Sequence, residues 1–269
     1  MTMTHTEATP HDTAMLGDKR VRRIGYGAMQ LAGPGVFGPP RDRDAAIAVL
    51  RRAVALGVDH IDTSQYYGPA VVNELIREAL HPYPAHLRLV TKVGARRDAQ
   101  GAWLAAQRPE ELRQGVEENL RTLGVERMDL VNLREVDGES DQDVPLADRL
   151  GVLEDMRREG KLDLIGISNV TRAQAEAALE LVALASVQNG YSIVERTSED
   201  LLDDAASATS RSCRSSRSGR PSRAARPGLP PIPRSPASPP STARRRRRSR
   251  SPGCCTATSG SSSSRAPLR

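Results

Sequence analysis

From Val21 to Glu199 short apolar runs of strand character alternate with longer stretches in which apolar residues recur every three or four positions. That alternation marks repeated βα units and a parallel sheet. It predicts strands near Ile24–Met29, His60–Ser64, Leu87–Lys92, Met128–Leu133, Leu162–Ile167 and Ser186–Asn189. Between them it predicts helices near Asp44–Leu56, Val71–Leu80, Pro109–Leu123, Leu146–Arg158 and Arg172–Ala183. Asp42 or Asp44 can cap the first helix, and Pro109 suits the first turn of the third. This makes six units. Such units either open into a doubly wound sheet or close as an eight-unit barrel, and both arrangements gather reactive side chains at the C-terminal ends of the strands.

Polar residues fall at or near those ends. Lys92, Arg134, Ser168 and Asn169 stand at or just past the end of a predicted strand, Gln188 one residue before the end of the sixth, and Asp62 within the second. The segment His60-Ile61-Asp62-Thr63-Ser64-Gln65-Tyr66-Tyr67-Gly68 ends a strand with an acid and sets a tyrosine five residues later beside a glycine. It resembles the signature of the aldo-keto reductases. In that family an aspartate, a tyrosine and a lysine on the next strand form three parts of a catalytic tetrad, and Lys92 of Val90-Thr91-Lys92-Val93 matches the lysine.

The resemblance implies an α/β fold of the (β/α)8 barrel type, incomplete here, and NAD(P)H-dependent reduction of an aldehyde or ketone, with NADPH as cofactor and a small carbonyl compound as substrate. Tyr67 is then the proton donor, with its neighbour Tyr66 as the rival. A phenol with an ordinary pKa near ~10 is a sluggish acid at neutral pH, and an adjacent ammonium corrects this by favouring the phenolate. Asp62 is expected to keep Lys92 charged and oriented. Arg134 stands where the family usually has a histidine; it can donate hydrogen bonds to a developing oxyanion but cannot shuttle a proton, and its alternative role is a structural salt bridge. Ser168, Asn169 and Gln188 resemble the residues that hold the nicotinamide carboxamide, although Ser168 and Asn169 could instead cap the following helix. Gly27 and Met29 resemble the first strand at the cofactor, and Gly33–Pro40 the loop bordering the substrate mouth. No Gly-x-Gly-x-x-Gly stretch opens a helix after a strand, which argues against a Rossmann dehydrogenase. The five histidines lack metal-ligand spacing, so no metal is expected.

Composition divides the chain. The net charge of +6 conceals fifteen arginines and no acid or lysine between Ala205 and Arg269, which leaves −9 on residues 1–204. The tail also holds ten of the nineteen prolines, all three cysteines (Cys213, Cys254, Cys255) and no aromatic residue. A segment so poor in large apolar residues cannot repay its chain entropy, so 205–269 is expected to be disordered. Three regions follow: a polar, unstructured 1–20, a partial barrel over 21–204, and the tail. Permitted codons for Ser207–Arg220 and Ser249–Pro267, read one base earlier, can spell a seventh strand and an eighth helix and strand, so the tail reads as a shifted frame. A barrel lacking those units leaves strands one and six unpaired and loses the family's pyrophosphate and 2′-phosphate sites, so little activity is expected of the chain as written. Alternatively, Arg244–Arg248 with the following serines could bind RNA phosphates, though no aromatic is present for base stacking, or the barrel could be a non-catalytic binding subunit. No apolar run has the length of a membrane span or the form of a secretory leader, and the protein is expected in the cytoplasm.

Overall fold

The structure is a computed structural model that describes residues 13–136, 144–192, 194 and 196–203. The readings made on residues 1–12 and 204–269, including the cysteines and the arginine run, lie outside the described residues. The chain opens with a hairpin of β1 (Thr13–Leu16) and β2 (Lys19–Arg22) and continues through β3 (Tyr26–Gly27), α1 (Arg43–Ala55), β4 (His60–Asp62), α2 (Val71–Leu80) and β5 (Arg88–Val93). A second hairpin, β6 (Ala95–Arg97) and β7 (Trp103–Ala105), precedes α3 (Pro109–Leu123), β8 (Met128–Arg134), α4 (Leu146–Arg158), β9 (Leu162–Ser168), α5 (Arg172–Leu181) and β10 (Leu184–Gln188).

Six strands form one parallel sheet in the order β10-β9-β8-β5-β4-β3. The order follows the chain without a reversal. A doubly wound sheet must reverse at its switch point, so the topology is that of a barrel. Among the described residues β3 and β10 each pair with one strand, which leaves the barrel open between them.

Side chains alternate across each strand, and the two faces of the sheet carry different chemistry. Ile61, Leu89, Val93, Val131, Leu133, Ile165 and Ile167 face the helices and join Leu50, Leu75, Leu112, Leu150 and Met156 in one buried cluster. Full burial of each such side chain is worth roughly 1.5–3 kcal/mol, so this outer layer contributes strongly to stability. The inner face carries His60, Asp62, Val90, Asn132, Ser186 and Gln188 around a cavity of about 360 Å³. Local signals set the helix ends. Asp42 Oδ1 accepts from Ala45 N at 2.9 Å at the start of α1, Pro109 opens α3, and Gly124, at φ +70°, ends it.

The first hairpin corrects one expectation: residues 13–20 are not unstructured. Gly17 and Asp18 form a two-residue turn between the paired Leu16 and Lys19, and Gly17 has φ +59°, which glycine adopts at little cost. Leu16 and Val21 then close the inner cavity from the N-terminal end of the sheet. Lys19 Nζ lies 3.1 Å from Asp163, and the Asp59 carboxylate accepts from Arg22 N at 2.9 and 3.1 Å. At the other end of the sheet, the loop read between the third strand and α3 contains the β6–β7 hairpin. Arg97 binds this hairpin to the Gly33–Pro40 loop: its guanidinium stacks 4.1 Å from the Trp103 ring and 5.5 Å from Phe37 and donates to Val36 O at 3.0 Å and Gly35 O at 2.9 Å.

Candidate active site

Strand register brings the predicted residues into rows across the C-terminal half of the sheet. Gly27 pairs with Asp62, Lys92 with Asn132, and Arg134 with Ser168, which pairs in turn with Gln188. Lys92, only 4% exposed, donates to both oxygens of Asp62 at 2.7 and 2.6 Å and to Thr63 O at 3.3 Å. A charge so deeply buried is tolerable only when paired and hydrogen-bonded, and Asp62 provides both. Lys92 Nζ stands 5.2 Å from the centre of the Tyr67 ring.

The two tyrosines are distinguished by their surroundings. Tyr66 packs edge-on against Tyr67 at 5.3 Å and Trp103 at 5.4 Å. Its hydroxyl is sealed from solvent and has no hydrogen-bond partner among the described residues. Burial, reinforced by the neighbouring Tyr67, pushes the Tyr66 phenol well above its ordinary value. Tyr67 is the one beside the ammonium. Its turn is set by Gly68 at φ +72°, where an added methyl would come within 2.8 Å of Gly38 O.

A buried network fixes this turn from behind. Asn119, on α3, accepts from Asn73 Nδ2 at 2.9 Å and Thr91 Oγ1 at 2.6 Å, and donates to Gln65 Oε1 and Gly115 O at 2.8 Å each. All four hydrogen-bonding positions of its amide are used. The network holds the neighbours of each key residue: Thr91 precedes Lys92, Thr63 follows Asp62 and donates to Asn73 Oδ1 at 2.7 Å, and Gln65 lies two residues before Tyr67.

Arg134 ends β8, half-buried, and among the described residues no carboxylate lies within ion-pair distance of it. Its backbone is fixed instead. Gln107 Nε2 donates to Arg134 O at 2.9 Å, and Gly94, at φ +105°, lets the end of β5 pass so close that an added methyl would be 2.6 Å from that oxygen. Behind it Arg149 Nη1 donates to Glu135 Oε1 at 2.5 Å and Gln107 Oε1 at 2.8 Å.

Ser168 is buried at the end of β9. Asn169, at φ +59°, donates from Nδ2 to Glu135 O at 2.9 Å. Neither caps α5, because Thr171 and Gln174 form its capping box. Gln188 Oε1 is buried with no partner among the described residues, and nothing lies within 4 Å of where a Cβ on Gly27 would be. Met29 sits in a 3-10 turn beyond β3, 38% exposed, and does not line the inner cavity.

Asn132 and Ser186 line that cavity with Asp62 and Gln188 but were not singled out from the sequence. Ser186 Oγ donates to Asn132 Oδ1 at 2.9 Å, across Gly166, whose missing side chain makes room for the pair. The available signal was a polar residue two places before a candidate on the same strand, and therefore on the same face: Asn132 before Arg134, Ser186 before Gln188. Asn189 was also passed over; it brackets Val170, accepting from its N–H at 3.0 Å and donating to its carbonyl at 2.7 Å.

Residues 23–208 match the model of the aldo/keto reductase family. A pyridoxine 4-dehydrogenase from Escherichia coli is 51% identical over 197 residues, which cover 72% of this chain and 69% of that protein. Among solved structures, the glycerol dehydrogenase of Gluconobacter oxydans superposes with a TM-score of 0.63 at 26% identity, over 71% of this chain and 59% of that one. An aldo/keto reductase from Klebsiella pneumoniae, solved with NADP and acetate, has the same fold at 23% identity and a TM-score of 0.58, over 73% of this chain and 64% of that one. The chain therefore spans about two thirds of the length of such proteins, and it belongs to the aldo/keto reductase family.

Proposed function

We propose that this chain carries the catalytic portion of an NADPH-dependent carbonyl reductase in which Tyr67 protonates the carbonyl oxygen. The observation that carries this reading is the Lys92 ammonium, held by both oxygens of Asp62 and lying 5.2 Å from the Tyr67 ring. The cofactor's carboxamide suits the residues present. Gln188 Oε1 is a buried acceptor lacking a donor, Ser168 and Asn169 sit on the neighbouring strand end, and the open space over Gly27 allows a flat ring to approach the backbone. When bound, the nicotinamide supplies the hydride that reaches the carbonyl carbon.

The remaining work falls to side chains. Tyr67 gives its hydroxyl proton to the carbonyl oxygen as negative charge builds there, and Lys92 offsets the charge left on the phenol oxygen. Asp62 keeps that ammonium aimed, and Arg134 offers N–H donors to the same carbonyl oxygen. In the reverse direction Tyr67 receives the alcohol proton. The similarity to a pyridoxine 4-dehydrogenase makes pyridoxine the first alcohol to test.

The family match ends near residue 208, and we attribute the sequence beyond Ala205 to a one-base shift of frame. The test follows NADPH consumption with a panel of aldehydes, and NADP+ reduction with pyridoxine, in this chain and in one translated with the frame restored after Ala205. The restored chain is expected to turn over and the present one to be nearly inert. A restored, folded chain without turnover on any carbonyl would remove the reductase reading.

A further inference from the structure

At the N-terminal end of the sheet, opposite the candidate active site, lies a second pocket of about 470 Å³. Its polar lining consists of Arg20, Arg22, Asp59, His86 and Arg88, with Val54, Ala55 and Gly57 as its floor. Three guanidiniums and an imidazole thus share it with one carboxylate.

That carboxylate is already engaged. Asp59 accepts from Arg22 N with both oxygens, and its Oδ1 lies 3.1 Å from His60 Nδ1. Arg88 reaches Asp129 at 3.3 Å, while among the described residues Arg20 makes one long contact, to Thr13 Oγ1 at 3.4 Å. Among the described residues, the half-buried Arg22 guanidinium pairs with no acid. It lies flat against Gly57, where an added methyl would be 3.2 Å from its Cζ.

Hydrogen-bonding to the carbonyls of Arg52, Ala53 and Val54 at the end of α1 does not account for Arg22. The carbonyls of Arg52, Ala53 and Val54 already accept from the N–H groups of Leu56, Gly57 and Val58. The residues are also placed to converge. Arg20 and Arg22 project from one side of β2, two positions apart, while the backbones of Arg22 and Arg88 are both anchored on Asp59, the latter by Arg88 N donating to Asp59 O at 2.8 Å. A partly buried guanidinium without a counter-ion has lost hydration with little in return, and its planar fork of donors matches the oxygens of a phosphate.

We propose that this pocket is a binding site for a small phosphate-bearing anion, separate from the reductase centre. The test titrates inorganic phosphate into the full chain calorimetrically, against chloride at equal ionic strength, and repeats the titration with R20Q/R22Q and with R20K/R22K. Saturable phosphate binding is expected in the parent, weakened about tenfold or more in R20Q/R22Q and less in R20K/R22K, which keeps charge but loses the fork. Only two of the chain's 39 lysines and arginines are altered, so diffuse counter-ion binding would hardly change. If R20Q/R22Q does not fold, the lysine variant alone decides. Absence of saturable binding in the parent, undiminished binding in the folded variants, or displacement of phosphate by NADP+ would overturn the proposal.

Discussion

In the frame-restored chain, Tyr67→Phe is expected to lower carbonyl reduction about a thousandfold and to change NADP+ affinity by less than about twofold. Tyr66→Phe should leave both nearly unchanged. The contrast follows from two hydroxyls one residue apart. That of Tyr66 is buried against Trp103 and Tyr67 with no partner among the described residues, so deleting it removes an uncompensated polar atom and loses no hydrogen bond. Tyr67 has the Lys92 ammonium beside it, itself held by Asp62. Steady-state NADPH oxidation and fluorescence titration of the cofactor give the two readings. The opposite pattern would transfer the acid role to Tyr66.

Arg149→Met is expected to destabilise the fold by about 3–5 kcal/mol, as removal of one partner from a buried ion pair generally does. The side chains of Arg149 and Glu135 are only 10% and 7% exposed, and among the described residues the lone carboxylate would keep just one weak contact, from Gln107 at 3.3 Å. The double variant Arg149→Met/Glu135→Leu should regain most of the loss, since no charge is then left buried. Denaturant unfolding of the two variants and the parent decides the matter. If Arg149→Met costs less than about 1 kcal/mol, the pair is solvated or replaceable and cannot be what steadies Gln107 beneath Arg134.

Helices were the most legible part of the fold. Val71–Leu80, Pro109–Leu123 and Leu146–Arg158 run over the residues that apolar periodicity assigns to them, because sheet-facing leucines recur on one side and Pro109 and Gly124 punctuate the longest. Strand ends were read less sharply. The first shrinks from Ile24–Met29 to Tyr26–Gly27, since the chain turns into a 3-10 helix at Ala28. The hairpin at 13–22 escaped notice because alternation over four residues is a weak signal beside a polar average, although Gly17-Asp18 marked its turn.

In the candidate site, strand ends are visible in sequence and the interior is not. Asp62 and Lys92 stand out as charges terminating apolar runs. Asn132 and Ser186 look like ordinary interruptions of a strand until register sets them side by side over Gly166. Asn119 is still harder to see. It lies on a helix among polar residues, and only its burial against Asn73, Thr91 and Gln65 distinguishes it from the exposed face.

The order of the strands has a consequence for how the molecule breathes. Lys92 and Arg134 ride on β5 and β8, the two central strands, whereas Gly27 and Gln188 ride on the margins, β3 and β10. Amide protons should exchange with deuterium fastest at those margins and slowest in the middle. Partial opening therefore disturbs the strand ends that carry Gly27 and Gln188 before it separates the Lys92 ammonium from the Asp62 carboxylate. On the function proposed above, cofactor affinity is then lost first and the Lys92–Asp62 pair last.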